Sequence, residues 1–107
     1  MRSVNRLTIV GNVGKVTTVG KVVKVNIATN RKWARDGEIK KAADWLTVTV
    51  LDETQADWIA ENVEKGDAVY VEARVCNNSY EKEGERIYTV DVIVTLFNKL
   101  SRQAESE

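Results

Sequence analysis

In "DWLTVTVL" (44–51), Leu46, Val48 and Val50 alternate with Trp45, Thr47, Thr49 and Leu51, and this period of two returns along most of the chain. Successive side chains of an extended strand point to opposite faces, so the pattern marks strands buried on one side only. "KVVKVNIAT" (21–29) places Val23, Val25 and Ile27 against Lys24, Asn26 and Ala28. "RLTIVGNV" (6–13) sets Leu7 and Ile9 against Arg6 and Thr8, and "AVYVEARVCNNSY" (68–80) sets Val69, Val71, Ala73 and Val75 against Tyr70, Glu72, Arg74 and Cys76. "RIYTVDVIVTL" (86–96) is rich in β-branched residues, and the chain has no proline to interrupt strand pairing. The spacing predicts five half-buried, antiparallel strands.

One segment breaks the alternation. "DETQADWIAENVEKG" (52–66) carries Ala56, Ile59, Ala60 and Val63 at helical spacing, with Asp52 and Gln55 as a capping box and Lys65-Gly66 as a stop. Three strands, a helix and two strands fit an all-β OB-fold: a five-stranded Greek-key barrel with its helix between strands 3 and 4. Another small α+β barrel has the same element count. "NKLSRQAESE" is polar and non-periodic, so the expected division is one domain over 1–97 and a short frayed tail over 98–107.

The chain has no histidine and one cysteine, Cys76. That removes the commonest general base, the commonest metal ligand and any internal disulfide. No enzyme, metal site or cofactor is expected. Sixteen Lys and Arg balance sixteen Asp and Glu, so no global charge advertises a polyanion partner. A polyanion site must be a local patch, with the acids gathered on the helix, the "EKEGER" turn (81–86) and the tail. No apolar run approaches the roughly 18 residues of a membrane helix, and no signal peptide opens the chain, so a cytoplasmic protein without membrane contact is expected.

"NRKWARDGEIKKAADW" (30–45) brackets a charged run with Trp33 and Trp45. If Leu46, Val48 and Val50 take the core, Trp45 faces away from it. The same parity turns Tyr70, Arg74 and Tyr80 outward, onto what should be adjacent barrel strands. Trp33 falls in the hairpin between strands 2 and 3, held near solvent by Arg31, Lys32 and Arg35. Exposed aromatics interleaved with cations serve two ends: stacking on unpaired bases while Lys and Arg follow the phosphates, or a protein–protein interface. The residues alone leave both open.

"NRLTIVGNVGK" (5–15), "ATNRKW" (28–33), "DWLTVTVL" (44–51), "KGDAVYVE" (65–72) and "RIYTVDVIV" (86–94) together resemble the bacterial single-stranded DNA-binding protein family, in order over nearly the whole chain. The resemblance implies an OB-fold that assembles as a homotetramer, or alternatively a dimer, and binds single-stranded DNA without sequence preference in replication, recombination or repair. It implies base stacking at Trp33, Trp45 and Tyr80, the last standing for a usual tryptophan. Basic residues matching Arg6, Lys15, Arg31 and Lys65 would lie along the strand's path. With Lys32, Arg35 and Arg74 they form the expected phosphate-binding set, and Tyr70 joins the DNA-binding face. A nucleoid-associated location follows. The alternative is an OB-fold interaction module with weak nucleic-acid binding, such as a primosome accessory subunit.

The chain departs from the family pattern in several places. "VTTVG" (16–20) is shorter than the usual loop between strands 1 and 2. Leu46 replaces a histidine common at a subunit contact, Leu51 replaces a stacking phenylalanine, and Thr47 and Glu53 stand where cations are frequent. "VCNNSY" (75–80) is neutral where the family is basic. Each lost phosphate contact removes about 0.7 from the salt slope on single strands, so weaker and less salt-sensitive binding is expected. The family's acidic, apolar-ended tip is not seen in "SRQAESE" (101–107), so either recruitment of repair enzymes by that route is absent or altered, or the chain is the core of a longer protein.

Other features read more plainly. Gly11 and Gly14 in "GNVGK" lie at a strand end and fit a turn or bulge, not a phosphate loop. Asp52, Glu53 and Asp57 compensate the helix dipole. Trp58 packs the helix on the barrel, and Cys76 is an inert strand residue.

Overall fold

A computed structural model describes residues 1–101 of the chain. The tail end carrying Glu105 and Glu107 lies outside the described residues. Five strands and one helix follow in the order β1 (Leu7–Val19), β2 (Val22–Arg35), β3 (Glu38–Val50), α1 (Glu53–Asn62), β4 (Ala68–Lys82) and β5 (Glu85–Ser101). They form a closed barrel with strand order β1-β2-β3-β5-β4. All pairings are antiparallel except the closure of β3 on β5, at Thr49 and Ile93. This is the expected OB-fold, with the helix between strands 3 and 4.

The alternation becomes a core. Val23, Val25, Ile27, Val48, Val50, Val69 and Val71 point inward and are fully buried. At about 1.5–3 kcal/mol per buried aliphatic side chain, this single interior carries the fold. Leu46, expected in the core, is only half-buried at its margin. The helix closes the barrel with Ala56, Ile59 and Val63. Asp52 caps it, its carboxylate accepting a hydrogen bond from the Gln55 amide at 2.9 Å. The helix ends at Asn62, earlier than Lys65-Gly66, because Val63 turns extended and drops into the core.

Sequence alternation underestimates the strands. β2 and β3 run on past the barrel as a two-stranded arm, and β4 and β5 do the same. Outside the barrel neither face of the β2–β3 arm is buried, so nothing in the hydropathy pattern marks it, whereas the strands read over 68–80 and 86–96 already cover most of the β4–β5 extension. Two-residue turns close both, with positive φ at Asp36 (53°) and Gly37 (78°), and at Glu83 (54°) and Gly84 (80°). Such paired left-handed residues match the twist of a hairpin. "VTTVG" is likewise paired strand up to the turn at Gly20, not loop.

Three expectations change. Asn98–Ser101 belongs to β5 and pairs with β4, so the frayed tail does not begin at 98. Strands β3 and β4, expected to be adjacent, are separated by β5. Trp58 is half exposed, beside Phe97 and Leu100 along an open groove, instead of packing fully on the barrel. The helix buries its Ala56–Ile59 stripe, and position 58 lies off that stripe.

Candidate nucleic-acid interface

The register fixes where each aromatic stands. Ala28 pairs with Trp45 and Trp33 with Lys40, without a register shift between them. Positions 28 and 33 differ by an odd number, so Trp45 and Trp33 lie on opposite local faces of the β2–β3 ribbon. Trp45 is on the outer barrel face, as parity requires, and is 59% exposed. Trp33 lies in the β2–β3 hairpin, as expected, within its paired strands: it continues the face of Ile27 out along the arm, where there is no core left to cover it.

Trp45 has a shaped seat. β1 bulges between Val13 and Lys15, which leaves Gly14 as the extra residue. The benzo ring of Trp45 occupies the space a side chain at position 14 would need. Lys15 follows the bulge and pairs with Asn26, two pairs along from Ala28 and Trp45 and on the same face. The loop after α1 is clipped to the same point: the Gly66 amide donates to the Val13 carbonyl at 2.8 Å, and the Val13 amide donates to the Asp67 carbonyl at 2.9 Å. Asp67, fully buried, accepts from the Glu64 amide at 2.8 Å and lies 3.4 Å from Lys99 Nζ. That buried contact holds the loop, and with it Lys65, next to the bulge that seats Trp45.

The outer face extends across β1 to β4, where Val10 pairs with Tyr70 and Thr8 with Glu72. Tyr70 is half-buried, and its hydroxyl donates to Glu72 Oε2 at 2.6 Å. That hydrogen bond raises the Tyr70 pKa above 10, with burial and the Glu72 charge acting the same way and Arg6 opposing them. Farther along the same stripe of β4 come exposed Arg74, Cys76, half-buried, and exposed Tyr80. Asn78, between them, donates to Asp91. The register shift at Glu72/Ala73 leaves its extra residue, Thr95, on β5 and β4 itself is continuous, so Tyr70, Arg74 and Tyr80 share one face of β4.

On the arm, Arg31 lies with its guanidinium carbon 4.7 Å from the Trp33 ring centroid, and its Nε donates to Asp44 at 3.0 Å. Lys40, paired with Trp33, contacts Glu38 at 3.0 Å. Lys32 and Lys41 stand directly opposite each other. Like charges in that position repel and cost about 0.2–1 kcal/mol. An open hollow of about 420 Å³ there is lined by Asn30, Arg31, Lys32, Lys41 and Ala42, three cations and no acid.

Among the described residues, Arg6, Lys15, Lys32, Arg35, Lys65 and Arg74 form no ion pair, whereas Arg31 does. The expected segregation of charge is therefore incomplete: Asp44 and Glu38 sit among the arm's cations and neutralise two of them. The aromatics and cations form three regions, the Trp45 seat, the arm and the β4 stripe. Lys40 and Lys41 join the site only through cross-strand register, opposite Trp33 and Lys32, which no pattern within the sequence marks.

The chain matches the family described as the single-strand binding protein family over residues 4–100. A single-stranded DNA-binding protein of Rickettsia felis is 27% identical over 105 residues, covering 90% of this chain and 69% of the relative. The solved structure of the mitochondrial single-stranded DNA binding protein Rim1 of S. cerevisiae superposes with a TM-score of 0.68 at 29% identity, over 94% of this chain and 98% of that one. The Plasmodium falciparum SSB complex with ssDNA has the same fold, with a TM-score of 0.68 at 24% identity over 87% and 88% of the two chains.

Proposed function

The chain belongs to the single-strand binding protein family, and on that premise we propose that its exposed indoles and cations bind single-stranded DNA through stacking and phosphate contacts. It acts as a binding protein, not an enzyme, in replication, recombination or repair. The observation that carries the reading is Trp45: a large apolar ring, more than half exposed, held on a glycine bulge between Lys15 and Lys65. A core tryptophan would be covered, and a merely tolerated surface tryptophan would not need a glycine beneath it.

A nucleobase offers a π-face whatever its identity, so Trp33, Trp45 and Tyr80 stack without reading sequence, at about 1–3 kcal/mol per base. Tyr70 contributes the edge of the same face. Arg6, Lys15, Arg31, Lys32, Arg35, Lys65 and Arg74 hold phosphates, joined by Lys41. A two-stranded ribbon twists along its length, so a flexible strand following the arm meets one indole after the other. A duplex, too stiff to follow and with its bases already stacked, does not.

The protein assembles as a homo-oligomer, a tetramer or a dimer, in the cytoplasm with the nucleoid. Tyr88 and Val90, strongly exposed on the β4–β5 extension, support an assembled state. No described helix is long and apolar enough to cross a membrane.

Titration with a thymidine oligonucleotide, followed by tryptophan emission at low and moderate salt, tests the reading. Strong quenching by the single strand and none by matched duplex is expected. Flat emission with micromolar protein at low salt would leave the interface to a protein partner. Mass measurement in solution checks the assembly.

A further inference from the structure

Arg31 holds two partners at once. Its Nε donates to Asp44 Oδ2 at 3.0 Å, and its guanidinium stands 4.7 Å from the centre of Trp33. The register explains the trio. Thr29 pairs with Asp44, Arg31 with Ala42 and Trp33 with Lys40, so all three side chains lie on one face of the arm, with Asp44 diagonal to Arg31 across a small alanine.

We propose that Asp44 is an internal stand-in for a DNA phosphate: it holds Arg31 against Trp33 in the free protein and competes with the nucleic acid for that guanidinium. The proposal rests on the single-strand reading above and concerns how tightly the arm binds. A base stacking on the Arg31 side of the indole requires the guanidinium to leave, and leaving breaks the contact with Asp44. Carboxylates and phosphates alike can take two parallel N–H bonds from a guanidinium. The contact with Asp44 is made through Nε, which leaves a phosphate that engages two N–H groups able to displace it.

The latch is weak enough to open. Both side chains are about half exposed, 54% and 52%, so water and a phosphate reach them. Exposed pairs of this kind are marginal in strength. Lys32 and Lys41 gather unneutralised charge nearby, so the acid at position 44 is not needed to solubilise the arm. Its effect falls on one cation, the one over the ring. Asp44 is thus a positioning residue: it touches Arg31, and Arg31 touches the strand.

A double-mutant cycle tests this. Affinity for a thymidine oligonucleotide is measured across a salt series for the wild type, D44N, R31Q and the double variant. D44N should bind two- to five-fold more tightly at low salt, with a salt slope steeper by up to about 0.7, one phosphate contact. In the R31Q background the same change should do nothing. An equal gain with and without Arg31 would reduce Asp44 to ordinary charge repulsion, and an unchanged or lower affinity in D44N would also overturn the competition. If D44N melts below the wild type, D44S serves in its place under the same criteria. Absence of wild-type binding would instead reject the single-strand reading itself, which separates the two failures.

Discussion

A methyl group at Gly14 would stand 2.9 Å from Cη2 of Trp45 and closer still to Cζ3, so the indole and any side chain at position 14 exclude each other. Gly14 has no positive φ, so its backbone accepts alanine and the conflict is with the ring alone. Gly14→Ala should push Trp45 off its seat, shift its emission and weaken single-strand binding by up to the 1–3 kcal/mol of one stack. In a Trp45→Ala background the substitution should change affinity little. Full additivity of the two would disprove the seat.

Lys32 and Lys41 face each other at a cost that a bound polyanion relieves. Lys41→Gln is therefore expected to act in opposite directions in two assays. Thermal or denaturant unfolding should show a gain of a few tenths of a kcal/mol. Oligonucleotide binding should weaken, with a salt slope flatter by about 0.7.

Tyr70 donates to Glu72, and the bond raises its pKa above 10. A group whose folded pKa is raised adds stability below its unfolded pKa and loses it as pH climbs through the folded one. The Tyr70 contribution should thus be intact at neutral pH and disappear only above 10. Ultraviolet titration of tyrosinate should show one late-ionising residue, and Glu72→Gln should return it toward 10.

Glu83 sits at φ 54°, where a side chain other than Asn, Asp or Gly is strained. Glu83→Asn should stabilise the protein by roughly 0.5–1 kcal/mol. The turn is remote from Trp45, so emission quenching by a single strand should stay as in the wild type.

Single substitution of Trp33 and of Trp45 by alanine should each remove about 1–3 kcal/mol of single-strand affinity. Titration of each variant against the same oligonucleotide checks this, and unchanged affinity in both would dismiss stacking as the mode of binding.

Much of the site was legible in one dimension. Val48 and Val50 facing inward force Trp45 outward, since strand parity admits no other arrangement, and the closed barrel follows from five such strands with one helical interruption. Trp33 lies in the β2–β3 hairpin as expected, but its face was not legible for a definite reason: beyond the barrel both ribbon faces are wet, so residues 30–35 carry no alternation. A tryptophan on a helix reads as a packing residue, but Trp58 lies off the buried stripe and faces the open groove beside Phe97 and Leu100 of β5.

What the chain determined by itself is which residues turn inward, where the helix interrupts the strands, and the supply of aromatics and cations. These follow from local geometry and from water's exclusion of apolar side chains. Which of them meet was settled only by folding: Gly14 under Trp45, Arg31 between Asp44 and Trp33, Lys32 across from Lys41. Such pairings depend on strand register and on a bulge, and those are set by how five strands close on one another, not by the order of residues within any one of them.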